Sequence, residues 1–412
     1  TGKNIGNIFM SQAPVQVSFY DHPAQFEPLL PAQNLEALAV LARPVIEASH
    51  KLQGCTNEHT RREIQALVRS MNSYYSNRIE GQSTHPLNID KALRADFSGK
   101  PDIAKRQRIA LAHIEAEKAL ELSMVSEAQA LSSQGLISAH SSLYAQLSPE
   151  DRQVEQGRVV EPGVLRIEDV TVFRHQPPAW ASVPRFLKRA DEVYAKDWGL
   201  DLLLVAAACA HHRLVWVHPF LDGNGRASRL QLHATLHRLT GGLWSVNRGL
   251  ARKRDDYFIR LSEADMARQG DYDGRGNLSE RMLRAWCEFF IEICRDQVSF
   301  MTDTLDLPAL KGRVAALVLV RSQDDQNSEY RKEAILPLHH VLAVGPVSRG
   351  DFIQMTGLGE RTGRKVLARL LNDRLLQSDS PKGEVRIGFP LDSLNILFPN
   401  LYPEAATALR DE

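Results

Sequence analysis

Apolar residues recur at helical spacing through most of this chain of 412 residues. Apolar side chains at positions i, i+3, i+4 and i+7 form one face of a helix, so this spacing predicts amphipathic helices. Three of the segments end at or beside a glycine, namely Gly54, Gly81 and the pair Gly241 and Gly242, which is typical of a helix C-terminus. We therefore predict helices in the segments 36–54, 63–82, 103–124, 127–147, 183–198, 200–217, 227–242 and 254–302, the last of them interrupted by a polar stretch at 269–280.

A stretch of different character lies at 157–180. It is rich in valine, isoleucine and turn residues, and apolar and polar residues alternate in RIEDVTVFRH, residues 166–175. Alternation with a period of two is the pattern of a strand with one buried face. This stretch predicts a short β-hairpin inside an otherwise helical region.

The C-terminal part of the chain follows a polar and acidic break at 322–330, SQDDQNSEY. Beyond the break come a helix, a Gly-Pro turn, a short helix, a second turn, a basic helix and two strands. That order is typical of a winged helix-turn-helix.

These patterns predict a mainly α fold, with an all-helical core that carries a short β-hairpin and is followed by a winged helix-turn-helix. The predicted units are an N-terminal helical region with a helix at about 63–81, a core, a linker, the winged helix-turn-helix and a C-terminal tail. Their ranges are 1–100, 101–302, 303–330, 331–395 and 396–412.

Composition narrows the setting of the protein. The formal net charge is +0, so overall charge gives no reason to expect nucleic acid or an anionic membrane as a partner. The four cysteines form no CxxC pair, which is typical of reduced thiols in a cytoplasmic protein. The longest apolar run, at 202–210, is too short to span a bilayer, and there is no signal peptide pattern. We therefore expect a cytoplasmic protein without membrane contact.

One short stretch, HPFLDGNGRASR at 218–229, concentrates the candidate chemistry. Pro219 cannot continue a helix, so His218 is expected where a helix ends and a loop begins. Gly223, Asn224 and Gly225 can turn successive backbone N–H groups into one hollow, which binds anions. The next helix starts there, and the positive end of its dipole faces the same hollow.

The charged residues of this stretch suit a polyphosphate with a metal ion. Arg226 and Arg229 project from one face of the following helix and can hold phosphates. Asp222 can bind Mg²⁺ through a carboxylate oxygen. Phosphoryl and nucleotidyl transfer depend on such positioning and charge neutralisation, and His218 is the candidate for accepting a proton from an attacking hydroxyl.

The stretch resembles the Fic family motif, HxFx(D/E)GNGRxxR, at every specified position. The resemblance extends over about residues 60–300, because VEPGVLRIEDVTVFRH is similar to the family's flap and RKRDDYFIRL to its following helix. It implies an all-helical core with a β-hairpin flap and the transfer of AMP from ATP to a hydroxyl side chain of a target protein, with release of pyrophosphate.

Residue by residue, the resemblance implies the following roles. His218 is the base for a target Ser, Thr or Tyr hydroxyl, and Asp222 holds Mg²⁺ on the α- and β-phosphates. Gly223, Asn224, Gly225 and Arg226 contact phosphates, and Arg229 binds the γ-phosphate. Phe220 is a buried anchor, and the flap at about 163–175 pairs with the target as an added strand. Tyr257 lines the adenine pocket or, equally, is a core aromatic residue.

A second element upstream, SNRIEG at 76–81, is similar to the family's inhibitory pattern (S/T)xxxE(G/N) through Ser76, Glu80 and Gly81. It implies that Glu80 pairs with Arg229 and occupies the guanidinium that the γ-phosphate needs. Ser76 lies one turn before Glu80 and is expected to steady its carboxylate. The sequence thus predicts an enzyme that inhibits itself.

Several alternatives stay open at this point. A Fic enzyme can remove AMP, use another nucleotide or transfer phosphate, and it can modify itself. The protein can instead be a DNA-binding regulator with a Fic core as sensor, because cations lie in the winged helix-turn-helix, at Arg361, Arg364, Lys365, Arg369, Lys382 and Arg386. The sequence also allows a homodimer. His233 and His237 have the spacing of a zinc pair, but without an HExxH motif we interpret them as helix histidines, and His211 and His212 as packing residues.

Overall fold

The computed structural model describes residues 20–154, 157–172, 175–323 and 329–406. Helices dominate these residues, and the regular strands form a two-stranded antiparallel sheet near the C-terminus, which confirms the predicted mainly helical fold. The helices are α1 (Leu35–Gln53), α2 (Glu58–Ile79), α3 (Pro86–Ala92), α4 (Pro101–Ser123), α5 (Glu127–Leu131), α6 (Ser133–Tyr144), α7 (Val183–Tyr194), α8 (Leu200–Val217), α9 (Asn224–Thr240), α10 (Val246–Arg252), α11 (Arg254–Ala264), α12 (Glu280–Thr304), α13 (Leu307–Ser322), α14 (Ile335–Val344), α15 (Arg349–Met355), α16 (Glu360–Asn372) and α17 (Leu394–Leu397). The strands are β1 (Leu376–Gln377) and β2 (Arg386–Ile387).

Helix α8 lies at the centre of the core, packed by α1, α7, α9 and α12. By length and composition it is the one helix among the described residues that could cross a membrane, but 78% of it is buried inside the protein. Every residue from 203 to 210 is buried. The apolar residues of this helix therefore pack against neighbouring helices on all sides.

Helix α2 packs between the core and the C-terminal part of the chain. On the core side it contacts α4, α9 and α10, and on the other side it contacts β2. It begins at an N-cap, Asn57, whose side chain accepts a hydrogen bond from the backbone N–H of Thr60. Its buried positions include Ser76, Asn77 and Tyr75, so both faces of its last turns are covered.

The segment predicted as a hairpin forms little regular pairing. Its described residues take part in two isolated antiparallel bridges, Val172 with His175 and Val159 with Gln153, which precedes the segment; residues 173–174 lie outside the described part. Arg166 takes over much of the backbone pairing, because its guanidinium donates to the carbonyls of His218, Glu168 and Pro178. A buried arginine thus satisfies carbonyls that a strand partner would otherwise satisfy.

Two predicted units, the linker and the C-terminal tail, contain more packed structure than those names imply. The linker predicted at 303–330 contains α13, a helix of 16 residues with a buried apolar face of Leu310, Val314, Leu317 and Val318. The predicted tail at 396–412 begins with packed residues, since Leu397, Phe398, Leu401 and Tyr402 are buried. Both segments carry enough apolar side chains to pack. The polar break at 322–330 does not show this, because it marks only where polar residues are concentrated.

The C-terminal elements follow the order α14, α15, α16, β1 and β2. Helices α15 and α16 pack together, and β1 pairs antiparallel with β2, with Leu376 opposite Ile387. Of the cations predicted to face nucleic acid, Arg361, Arg364, Lys365 and Lys382 are exposed. Arg386 is not free for that role, because it pairs with Glu63 of α2 and with Asp379.

A buried ion-pair cluster joins α2, α4 and α9. His233 lies 2.9 Å and His237 3.6 Å from the carboxylate of Glu121, and Arg69 donates to both oxygens of the same carboxylate. Burial raises the pKa of Glu121, but the hydrogen bonds from His233 and Arg69 outweigh it and lower the pKa to about 2. Because arginine and histidine already use this carboxylate, we interpret the cluster as structural, in agreement with the predicted helix histidines.

Replacement of His113 by leucine is expected to stabilise the fold. His113 is fully buried in α4, and neither ring nitrogen has a hydrogen-bond partner within the described residues. Burial, with the Arg229 charge, lowers its pKa to about 3. The unfolded chain therefore binds a proton below about pH 6.5 that the native chain does not, and stability falls as pH falls from there. We expect a gain of about 1 kcal/mol at neutral pH and a larger gain near pH 5, measured by denaturant unfolding.

The matched control is His50→Leu, at an exposed histidine near the end of α1. It should leave both the stability and its pH dependence close to those of the wild type. An unchanged pH slope in His113→Leu would contradict the assignment of a neutral, unpartnered imidazole at this position.

Candidate active site

The candidate site begins where α8 ends. His218 is the C-cap of α8 and has a left-handed backbone with φ of 50°, an uncommon conformation for a residue other than glycine. Pro219 prevents the helix from continuing. The carbonyl of His218 accepts a hydrogen bond of 2.8 Å from Nε of Arg166, and the backbone N–H of Arg166 donates to the carbonyl of Pro219. Arg166 thereby fixes the backbone that carries the imidazole.

The loop between α8 and α9 is closed by Asn224. Its side chain accepts from the backbone N–H of Phe220 and donates to the carbonyl of Phe220, both at 2.9 Å. Asn224 was predicted to offer its backbone N–H to an anion, and the use of its side-chain amide within the loop leaves the backbone available for that role. Phe220 is fully buried, and its ring stacks on His140 with the ring centroids 3.9 Å apart, as its predicted role of anchor requires.

Two glycines of the loop are needed for close approach. Gly223 has φ of 78°, and a Cβ there would lie 2.4 Å from the ring of Tyr144. Gly225 lies in the first turn of α9, and a Cβ there would lie 2.2 Å from Oε1 of Glu80. A side chain at either position would collide with these neighbours. The carboxylate of Glu80 therefore lies against the first turn of α9, at the place of the predicted anion-binding hollow.

Glu80 pairs with Arg229 inside this hollow. Nη2 of Arg229 lies 2.6 Å from Oε1 of Glu80, and the Arg229 side chain is 1% exposed. Arg229 also donates to the hydroxyl of Ser76 at 3.0 Å and to its carbonyl at 3.1 Å. Ser76 was expected to steady the Glu80 carboxylate, but it accepts from the guanidinium instead. The last turn of α2 thus holds Arg229 through three contacts.

The first arginine of the motif, Arg226, holds Asp222. Nη2 of Arg226 lies 2.9 Å from Oδ2 of Asp222, and the Tyr144 hydroxyl donates to the same oxygen at 2.7 Å. Arg226 also donates to Gln82, which follows α2. Burial raises the pKa of Asp222, but the Arg226 charge and the Tyr144 hydrogen bond outweigh it, so the pKa lies below its usual range. Asp222 is therefore ionised at neutral pH.

The imidazole of His218 is neutral at physiological pH. The residue is half-buried, and the loss of water around the ring lowers its pKa to about 4, with a further contribution from the charges of His175 and Arg166. A neutral imidazole has a free lone pair and can accept a proton.

Tyr257 packs in the core, which is one of the two roles predicted for it. It is 1% exposed, its hydroxyl is hydrogen-bonded to Nε2 of His211 at 2.9 Å, and its ring lies 5.9 Å from that of Trp286. Burial raises its pKa to about 12. His211 and His212 are buried beside it, as predicted for packing residues.

Sequence reasoning missed four residues that shape the site: Tyr144, Gln82, Arg166 and Arg254. Arg254 donates to the carbonyl of Ile79 at 2.9 Å and so caps the end of α2 beside Glu80. None of the four belongs to the 218–229 motif, and each reaches the site through tertiary packing. Only Gln82 could have been singled out from the sequence, because it lies two residues after Glu80.

The comparison with known families decides how this site is classified. Residues 130–236 match the model of the Fic/DOC family, and this range contains the whole of the 218–229 motif. The chain contains a Fic domain. Helix α2 with Ser76 and Glu80 lies before the matched range, and Arg254 and Tyr257 lie after it.

Known proteins similar to the chain include two adenylyltransferases. It is 28% identical over 198 residues to the protein adenylyltransferase Fic of Nematostella vectensis, an alignment that covers 47% of this chain and 42% of that protein. It is 38% identical over 80 residues to the protein adenylyltransferase Fic of Drosophila willistoni, which covers 19% of this chain and 16% of that protein. The chain thus spans less than half the length of these relatives.

Solved Fic structures resemble the chain more loosely. A Fic family protein from Desulfovibrio desulfuricans G20 aligns with a TM-score of 0.49 at 20% identity, over 87% of this chain and 98% of its own. Fic-1 from C. elegans, residues 134–508, aligns with a TM-score of 0.48 at 19% identity, over 64% of this chain and 70% of its own.

Proposed function

We propose that this chain is a protein adenylyltransferase that transfers AMP from ATP to a Ser, Thr or Tyr hydroxyl of a target protein or of itself, and that its own helix α2 restrains it. The observation that carries the proposal is the Glu80–Arg229 pair. An anion hollow with a backbone N-terminus and a buried guanidinium lies beside the His218 loop, and the chain's own carboxylate fills it. A site that binds an internal anion so closely suits the phosphates of a nucleotide.

In the proposed reaction the oxygen of the target hydroxyl attacks the α-phosphorus of ATP. Its proton passes to the neutral imidazole of His218, and the bond between the α-phosphorus and the bridging oxygen to the β-phosphate breaks. The products are the AMP-modified side chain and pyrophosphate. Arg229 and the start of α9 hold the outer phosphates, so ATP places its α-phosphorus correctly only when Glu80 has left Arg229.

Asp222 fits the role of the Mg²⁺ ligand. Tyr144 and Arg226 both bond to its Oδ2, so neither side chain uses Oδ1, and the side chain is 44% exposed. A carboxylate oxygen held in this way is a suitable ligand for Mg²⁺. The cation supplies charge neutralisation for the pyrophosphate that leaves.

The flap provides a surface for the target. Residues 163–172 run beside His218 through the Arg166 contacts, and Ile167 of this segment is 78% exposed. We propose that an extended segment of the target docks along the flap, which brings its hydroxyl to His218.

The four free cysteines of the described chain support action in the cytoplasm.

The test is incubation of wild type, Glu80→Gly and Glu80→Gly/His218→Ala with ATP labelled on the α- or the γ-phosphate. Label from the α-phosphate on protein, strong in Glu80→Gly and absent from the double variant, supports the proposal. Label from the γ-phosphate would overturn it in favour of phosphate transfer. Removal of AMP from a pre-modified target by the wild type would instead favour the reverse reaction, with Glu80 positioning the water.

DNA binding through the C-terminal unit is a second candidate function. Arg361, Arg364 and Lys365 are exposed along α16, and Lys382 is exposed between β1 and β2. Cations on one helix face can contact the phosphates of a duplex. Arg364 pairs with Glu360 and Arg369 with Asp373, so Arg361 and Lys365 are the main candidates.

Removal of both Arg361 and Lys365 is expected to weaken binding of a labelled DNA duplex about tenfold at low salt and to lower the salt slope by about 2. Fluorescence anisotropy at several salt concentrations measures both quantities. Lys51→Ala, at an exposed residue near the end of α1, is the control and should change neither. Equal binding by the double variant would exclude α16 as a DNA contact.

A further inference from the structure

The C-terminal unit contacts the inhibitory helix near both of its ends. At the N-terminal end of α2, the side chains of Asn57 and Thr60 each donate a hydrogen bond of 2.9 Å to the carbonyl of Leu342 in α14. One turn further, the carboxylate of Glu63 accepts from Arg386 at 3.0 Å and from Gln377 at 3.2 Å. The two strands of the C-terminal sheet are thus tied to the first half of the helix.

A second set of contacts lies at the other end of α2, in the turn that carries the inhibitory residues. The segment 398–404, which we call the terminal segment, packs against this turn. Arg78 forms an ion pair with Glu404, and the Tyr75 hydroxyl lies 3.3 Å from the same carboxylate and 3.4 Å from the carbonyl of Leu401. The terminal segment thus contacts positions that lie between Ser76 and Glu80 or next to them.

Aromatic packing makes this contact apolar as well as charged. Tyr402 is 4% exposed, and its ring lies 5.1 Å from that of Tyr74 and 6.3 Å from that of Tyr75. The segment is also fixed to the core, because Arg248 of α10 donates to the carbonyl of Asn400 at 2.6 Å. The last turn of α2 therefore packs between the Fic core and the terminal segment.

The two sides of this turn have different partners. Ser76 and Glu80 contact Arg229 of the core, whereas Tyr75 and Arg78 contact the terminal segment. A rigid helix turn couples the two sets of contacts, because a shift of Tyr75 and Arg78 moves Glu80 with them. Tyr75 and Leu401 lie 326 positions apart in the sequence. The position of Glu80 on Arg229 thus depends on residues more than 300 positions later in the chain.

We propose that the terminal segment is a clamp on the inhibitory helix, so that release of residues 398–404 from α2 frees Arg229 and activates the enzyme. This inference rests on the proposed function and adds the element that controls it. Any event that displaces the C-terminal unit from α2 would have the same effect as loss of the Arg78–Glu404 and Tyr402 contacts.

The test uses the full chain with Glu404→Ala, Arg78→Ala and Tyr402→Ala, each in the wild-type and the Glu80→Gly background. In the wild-type background we expect label from the α-phosphate to rise about twofold to fivefold for either ion-pair variant and about tenfold for Tyr402→Ala. The Arg78→Ala/Glu404→Ala double variant should rise no further than either single one. In the Glu80→Gly background none of them should raise activity.

Asp392→Ala is the matched control, because it removes an exposed ion pair with Arg321 in the C-terminal unit that includes no residue of α2. It should leave activity at the wild-type level. Hydrogen exchange of the peptide 74–82 gives a readout apart from activity: it should accelerate in Glu404→Ala and stay unchanged in Asp392→Ala.

The outcomes separate the two proposals. If Glu80→Gly transfers no label, the proposed function fails, and hydrogen exchange alone still reports whether the terminal segment holds α2. If Glu80→Gly is active but Glu404→Ala and Tyr402→Ala remain at the wild-type level with unchanged exchange, the clamp is overturned. If they activate to the same extent in both backgrounds, they act elsewhere than on Glu80, which also overturns it.

Discussion

Glycine in place of Glu80 is expected to raise transfer of the α-phosphate label by about 10-fold to 100-fold. The carboxylate accepts a charge-assisted hydrogen bond of 2.6 Å from a guanidinium that is almost fully buried. Such a bond contributes about 1.5–3 kcal/mol, and every 1.4 kcal/mol corresponds to about tenfold in an equilibrium constant. In the proposed function, ATP must displace this bond before its γ-phosphate can reach Arg229. Without Glu80 that cost disappears.

Glu80→Gln is the informative companion variant, because glutamine keeps the size of the side chain and loses its charge. A neutral amide oxygen can still accept from Arg229, but more weakly. We expect activity between those of the wild type and Glu80→Gly, with the same order in the apparent affinity for ATP. Equal activity of wild type, Glu80→Gln and Glu80→Gly would contradict inhibition through this pair.

The 218–229 motif could be predicted from sequence because its geometry is local. Pro219 ends α8, the glycines form the loop, and α9 starts at Asn224, all within a few residues. The positions of Asp222, Arg226 and Arg229 around one hollow follow from this local geometry. The pairing of Glu80 with Arg229 spans 149 positions, and only the resemblance to a family pattern pointed to it.

The rest of the site depends on packing that no local pattern encodes. Tyr144 ends α6 and holds Asp222 and Arg226, yet nothing in its neighbourhood of the sequence marks it. For Tyr257 the resemblance left the adenine pocket and the core equally open, and its burial and hydrogen bond to His211 depend on tertiary packing. Arg166 replaces strand pairing in the flap, which alternation of side chains cannot reveal.

The C-terminal contacts with α2 were missed for a related reason. We predicted a linker at 303–330 and a tail at 396–412. Both regions nevertheless contain buried apolar residues. Residues 398–404 pack on α2, so their side chains do more than face solvent. The packing of Tyr402 beside Tyr74 and Tyr75 gives the terminal segment an apolar surface to bind and not only a charge to neutralise.

Loss of the His218 imidazole is expected to cause the largest change of all. In the Glu80→Gly background, His218→Ala should lower α-phosphate transfer by about 10²- to 10⁴-fold, the usual contribution of a general base. Binding of ATP should stay unchanged, since the phosphates are held by Arg229 and the start of α9. His59→Ala, at an exposed histidine of α2, is the control and should retain full activity.

The pH dependence offers an independent check of the same residue. Because burial lowers the pKa of His218 to about 4, the imidazole is neutral above that value and becomes protonated only as pH falls through it. Activity of Glu80→Gly that depends on His218 should therefore be flat from about pH 5.5 to 8 and should fall only at more acid pH. If activity instead fell with a midpoint at about pH 6.5, the imidazole would be in contact with water, because that is the pKa of an unperturbed histidine. Residual activity within tenfold of Glu80→Gly in the alanine variant would exclude His218 as the base, because the hydroxyl would then lose its proton by another route.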